Sequence, residues 1–156
     1  MHKKTNARPV RNFVLVISLL HIIIGVASIN LSAFSLLGNC QYSAQAAGLW
    51  GSLANLLCAS FGLTLSFETK RKVVLVYIFI SACTVLTAAF QLATETAGLV
   101  VERQLCGKNS FFGRDHCKLE CINTHVYIMV TAVASLFVSL FSSLVLSHGI
   151  QRLSTD

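Results

Sequence analysis

The residues best equipped for chemistry in this 156-residue chain are its six cysteines and the histidines near some of them. Cys106, Cys117 and Cys121 fall in one segment, together with Asp115, His116 and His125. Thiols, imidazoles and a carboxylate are all zinc ligands, and a tetrahedral site would draw on four of them. The set has no paired Cys-x-x-Cys element, however, and thiols facing an oxidising compartment pair with one another instead. Cys40 falls on the same side of the membrane layout described below, and four cysteines allow three pairings. The expectation is Cys106 joined to Cys117 or Cys121, with Cys40 taking the remaining partner or a cysteine of another chain. No metal and no cofactor is expected.

A second kind of chemistry would come from polar side chains inside apolar sequence. His21 lies in a long run free of Asp, Glu, Lys and Arg, where an ionisable group marks a candidate functional site. A neutral imidazole hydrogen-bonded to a neighbouring helix satisfies the same position. Gln91 is read in the same way, as an amide that ties helices together. Ala47, Gly51, Asn55 and Ala59 recur every four residues, as do Thr131, Ser135, Ser139, Ser143 and Ser147. Four-residue steps keep small residues on one slowly winding helix face, which suits close helix contact within the chain or with a partner. The alternative is that Ser135, Ser139 and Ser143 line a pore with His21 and Asn55. Cys58 and Cys83 are read as small hydrophobes. No Gly-rich phosphate loop, H-E-x-x-H or G-x-S-x-G occurs, and no catalytic role is expected. Glu95 and Glu102 are read as solvated residues at the outer end of a helix.

The elements that must position these residues are membrane helices. Hydrophobic residues make up 54% of the chain, charged residues 12%, and mean hydropathy is +0.71 with a single proline, all outside the range of a water-soluble domain. A hydrocarbon core of about 30 Å needs roughly 20 apolar residues in a helix. Runs at 13–37, 46–67, 73–93 and 126–146 meet that need. The expected fold is therefore an all-α integral membrane four-helix bundle made of two hairpins. External loops fall at 38–45 and 94–125, an inner loop at 68–72, a short N-terminal segment at 1–12 and a tail at 148–156.

The net charge of +6 is distributed as membrane topology requires, and nucleic acid is not an expected partner. Lys3, Lys4, Arg8 and Arg11 precede the first span, and Lys70, Arg71 and Lys72 fill the inner loop. Basic clusters stay in the cytosol, which predicts both termini cytosolic and contact with anionic lipid of the bilayer. The first apolar run is too long for the h-region of a cleaved signal peptide, so it reads as an uncleaved signal anchor. Tyr42 and Trp50 fit the outer aromatic belt.

Four spans, a short first external loop, a basic inner link and a cysteine-bearing second loop resemble the membrane-spanning four-domain subfamily A, the family of the B-lymphocyte antigen. Leu20-His21-Ile22 with Gly25, and Leu49-Trp50-Gly51, are similar to that family's local pattern, and the likeness runs from about Phe13 to Leu146. The Cys-Cys-Gly element and large second loop of a tetraspanin are missing, as is the long first loop of a claudin. The resemblance implies a non-enzymatic accessory or scaffold subunit in signalling. It would sit in the plasma membrane or an endomembrane and associate laterally as a homo-oligomer or with a receptor or channel. The alternative function is a pore-forming channel or transport subunit.

Overall fold

The computed structural model of the protein describes residues 7–38, 40, 47–67, 71–108 and 119–153. Four helices follow in order: α1 (Ala7–Leu37), α2 (Ala47–Phe67), α3 (Arg71–Lys108) and α4 (Leu119–Leu153). Each contains a stretch long and apolar enough to cross a membrane. Among the described residues there is no strand. The protein is therefore all-helical, with the composition and element lengths of a multi-pass membrane protein.

Neighbours in sequence are neighbours in space, and α4 closes the ring against α1, while α2 and α4 barely meet across the diagonal. Short links between α1 and α2 and between α2 and α3 force this antiparallel up-and-down order. The distribution of side chains is the reverse of that in a water-soluble bundle. The fully buried set is rich in Ser18, His21, Ser52, Asn55, Gln91 and Ser139, whereas Ile23, Leu57, Phe79, Leu86, Phe137 and Leu144 stand more than half exposed. Large apolar groups outside and small polar groups inside are the arrangement expected where lipid is the solvent, because lipid gives apolar side chains no reason to leave it.

Several boundaries depart from the sequence expectation, and α1 already begins at Ala7 while α4 continues to Leu153, inside the segments expected at 1–12 and 148–156. The span expected to end at residue 93 continues as α3 to Lys108, and the one expected to begin at 126 starts as α4 at Leu119. Apolarity marks only the part of a helix that lies in lipid. Beyond Ala93 good helix formers such as Ala97, Leu99, Glu102, Arg103 and Gln104 continue without a proline, so helical hydrogen bonding does not stop where hydropathy does. Of the expected loop at 94–125, residues 94–108 and 119–125 are helical, and 109–118 lie outside the described residues. At the other end, α3 already begins at Arg71, so Arg71 and Lys72 belong to a helix rather than to a loop. Lys70 lies outside the described residues, and Lys72 is exposed.

Glycines determine how closely the helices approach. In α2 a Cβ on Gly48 would collide with the Ser32 hydroxyl of α1, one on Gly62 with that of Ser18, and one on Gly51 with the Gln91 amide of α3. Each glycine thus seats a polar side chain from an adjoining helix.

Candidate functional site

The polar interior is organised about Asn55, which α2 carries to the bundle axis. Its side-chain Nδ2 donates to the Gly51 carbonyl at 2.8 Å, so Oδ1 is the acceptor end of the amide. Oδ1 receives Nδ1–H of His21 from α1 at 2.8 Å and the hydroxyl of Ser135 from α4 at 3.0 Å. With Nδ1 protonated, the neutral ring has only an acceptor at Nε2. That acceptor faces the Cys58 thiol at 3.6 Å, within reach of an S–H donor. One amide therefore joins three helices, and His21, Asn55, Cys58 and Ser135 are all at most 1% exposed.

Thiol, imidazole and amide in this order are the parts of a cysteine nucleophile with its base and orienting group. In this structure the three side chains are engaged with one another and are at most 1% exposed. The arrangement is chemically a closed set of hydrogen bonds, each worth about 0.6 kcal/mol and at most about 1.7 kcal/mol between membrane helices.

Both four-residue seams point inward. Ala47, Gly51, Asn55 and Ala59 are buried on α2. On α4, Ser135 and Ser139 are buried, with Thr131 and Ser143 partly so. Thr131 accepts the Ser28 hydroxyl of α1 at 3.0 Å. The Ser139 carbonyl accepts the hydroxyls of Ser81, Ser142 and Ser143 at 2.9 to 3.0 Å, and Ser143 also donates to Ser81 at 3.0 Å. The Ser139 hydroxyl and the Tyr77 hydroxyl have no partner among the described residues. Gln91 of α3 lies over Gly51 and donates to the Ile128 carbonyl of α4 at 3.5 Å. His21, Asn55 and Ser135 thus meet at one point, while Gln91 and Ser139 lie elsewhere along the axis.

The other end of the bundle is built differently. Cys40, just beyond α1, is bonded to Cys121 in the first turn of α4, across a sequence separation of 81 residues. This overturns the expected Cys106–Cys121 alternative, since Cys121 is already engaged with Cys40. It matches the arrangement in which Cys40 takes the partner left over. Cys117 and the side chain of Cys106 lie outside the described residues. A cavity of about 250 Å³ opens beside the bond, lined by Phe34, Leu37, Gly38, Glu120 and Thr124 together with the two cysteines.

One turn of helix beyond Cys121, Nδ1 of His125 meets the Glu95 carboxylate of α3 at 2.5 Å. Glu95 is 8% exposed and Glu102 only 3%, against the expectation that both are solvated. The cause is the continuation of α3, which presents Glu95, Gly98 and Glu102 on one face toward α4. Spacings of three and four residues between them carried that signal in the sequence, and the expected loop concealed it.

No protein family, characterised protein or solved structure matches the chain. The functional reading therefore rests on the geometry of the bundle and on the residues described above.

Proposed function

We propose that the chain is a non-enzymatic accessory or scaffold subunit of the membrane, associating laterally with itself or with a receptor or channel in signalling. The observation that carries this reading is the engagement of His21, Asn55, Cys58 and Ser135 with one another, which leaves none of them facing a substrate or a water-filled path. The likeness to the membrane-spanning four-domain subfamily A points the same way. Because the small-residue seams serve packing inside the bundle, a partner would meet the outward-facing side chains, among them Trp50, Phe79 and Phe137. Cytosolic termini and a plasma-membrane location belong to the same proposal and rest on the basic clusters of the sequence.

Two experiments test it. In planar bilayers the purified protein is expected to carry no current, and crosslinking in native membranes is expected to capture it with a second copy or another membrane protein. A current abolished by Ser139→Leu, with fold and assembly intact, would establish the pore reading instead. For topology, cysteines introduced at Asn6 and Asn109 should be inert and reactive, respectively, toward an impermeant thiol reagent on intact cells, and the reverse pattern rules the orientation out.

A further inference from the structure

We propose that the cavity beside the Cys40–Cys121 bond binds the headgroup of a bilayer lipid that carries a primary ammonium, with the Glu120 carboxylate as counter-charge and Phe34 and Leu37 as the wall for the upper acyl chain. The inference is independent of the accessory reading and needs only the multi-pass membrane fold.

The place of the cavity selects the source of the ligand. Its lining comes from the end of α1, from Cys40 just beyond it and from the start of α4, with no described residue of α2 or α3. It lies on the seam between α1 and α4, at the end where both of their apolar spans terminate. Phe34 and Leu37 share a face three residues apart, close the apolar run of α1, and are 67% and 84% exposed. They belong at the top of the acyl chains. Glu120 stands about 9 Å above Val126, where the apolar run of α4 begins. Headgroups extend roughly 5–8 Å beyond the hydrocarbon core, so this carboxylate is level with their outermost part, which is where a lipid carries its ammonium. At about 250 Å³ the cavity is smaller than the roughly 300–1,000 Å³ that encloses a whole drug-sized ligand. It suits a ligand whose remainder lies elsewhere, and the chains of a lipid lie in the bilayer.

The polar lining selects the headgroup. The Thr124 hydroxyl donates to the Glu120 carbonyl at 2.7 Å, so only acceptor capacity is left on it. An ionised carboxylate also only accepts, and that of Glu120 has no hydrogen bond or ion pair among the described residues. A lining of acceptors calls for a ligand made of donors, and a primary ammonium offers three donors and no acceptor. A choline headgroup has no N–H to give and is otherwise held in an aromatic cage, whereas Phe34 is the one aromatic ring in this lining. An acidic residue in the first turn of a helix is ordinary by itself, because it offsets the helix dipole. Here the end of α1, with no basic residue in its last turn, already meets the start of α4 at the cavity. Opposite dipole ends offset each other, and the charge of Glu120 is left over.

The test uses the full chain with its disulfide formed, delipidated in detergent and titrated with phosphatidylethanolamine, phosphatidylcholine or phosphatidylglycerol of identical acyl chains. Native mass spectrometry counts the lipid bound per chain. Wild type should hold one ethanolamine lipid, about five-fold more tightly than either of the others, as an exposed charge pair allows. Glu120→Gln should bring the ethanolamine lipid down to the level of the choline lipid. Phe34→Ala should weaken all three alike and keep the preference. Both side chains are exposed, so neither variant endangers the fold. A wild type without the ethanolamine preference, a preference that survives Glu120→Gln, tighter binding of the glycerol lipid, or affinities unmoved by Phe34→Ala would each overturn the proposal.

Discussion

The axis of the bundle and its disulfide end treat a buried histidine in opposite ways. His21 has both ring nitrogens engaged, one by Asn55 and one by Cys58. His125 has one nitrogen held by a carboxylate and the other without a partner. The first is what a core needs in lipid, where a neutral, fully hydrogen-bonded imidazole does little but hold helices together. The second joins α4 to α3 through one nitrogen only. Equal burial thus accompanies unequal engagement of the ring.

The contrast can be broken first at the disulfide end, where the largest effect is expected. Replacing Cys40 and Cys121 by serine, or reducing the bond, removes a crosslink spanning 81 residues and should lower stability by about 2–4 kcal/mol. Thermal unfolding in detergent with and without reductant measures this directly. An unchanged midpoint would mean that helix packing alone holds the end together.

At the axis, Asn55→Leu strands the His21 Nδ1–H and the Ser135 hydroxyl together. Each buried orphan costs about 1–3 kcal/mol, partly offset by the better lipid compatibility of leucine, so a net loss of about 2 kcal/mol is expected. A double-mutant cycle of His21→Ala with Asn55→Ala isolates the shared bond, and a coupling energy near zero would remove the amide from its organising role.

The smallest effect separates two glycines. At Gly98 an added methyl would meet the His125 ring at 2.7 Å, whereas at Gly25 the nearest atoms are the Leu56 side chain at 3.1 Å and the Ser52 carbonyl at 3.3 Å. Gly98→Ala should therefore destabilise by about 1–2 kcal/mol through overpacking, and Gly25→Ala by less. Equal melting temperatures for the two variants would show that the His125 ring is free to move aside.

Much of the interior could be read without coordinates, because residues four apart in a helix share a face whatever the surroundings. Gly51, Asn55, Ser135 and Ser139 were picked out on that ground, and all lie inside. What periodicity cannot supply is rotation of one helix against another, so the convergence of His21, Asn55 and Ser135 at one amide had no signature in spacing. The disulfide end was the harder part. Hydropathy falls at Thr94 because the chain leaves lipid, and a fall in hydropathy resembles a loop even when the helix continues. Glu95 and Glu102 therefore read as solvated, His125 as one of several zinc-type ligands of a loop, and Cys40 to Cys121 as one pairing among several.

The length of α3 has a consequence for reach. Continuing from Ala93 to Lys108 at 1.5 Å per residue, it stands about 22 Å above the last residue of its apolar run, while α4 joins from Leu119 only about 10 Å above Val126. The two helices form a stair of unequal height. Measured from its own apolar run, α3 thus reaches about 12 Å further than α4 does.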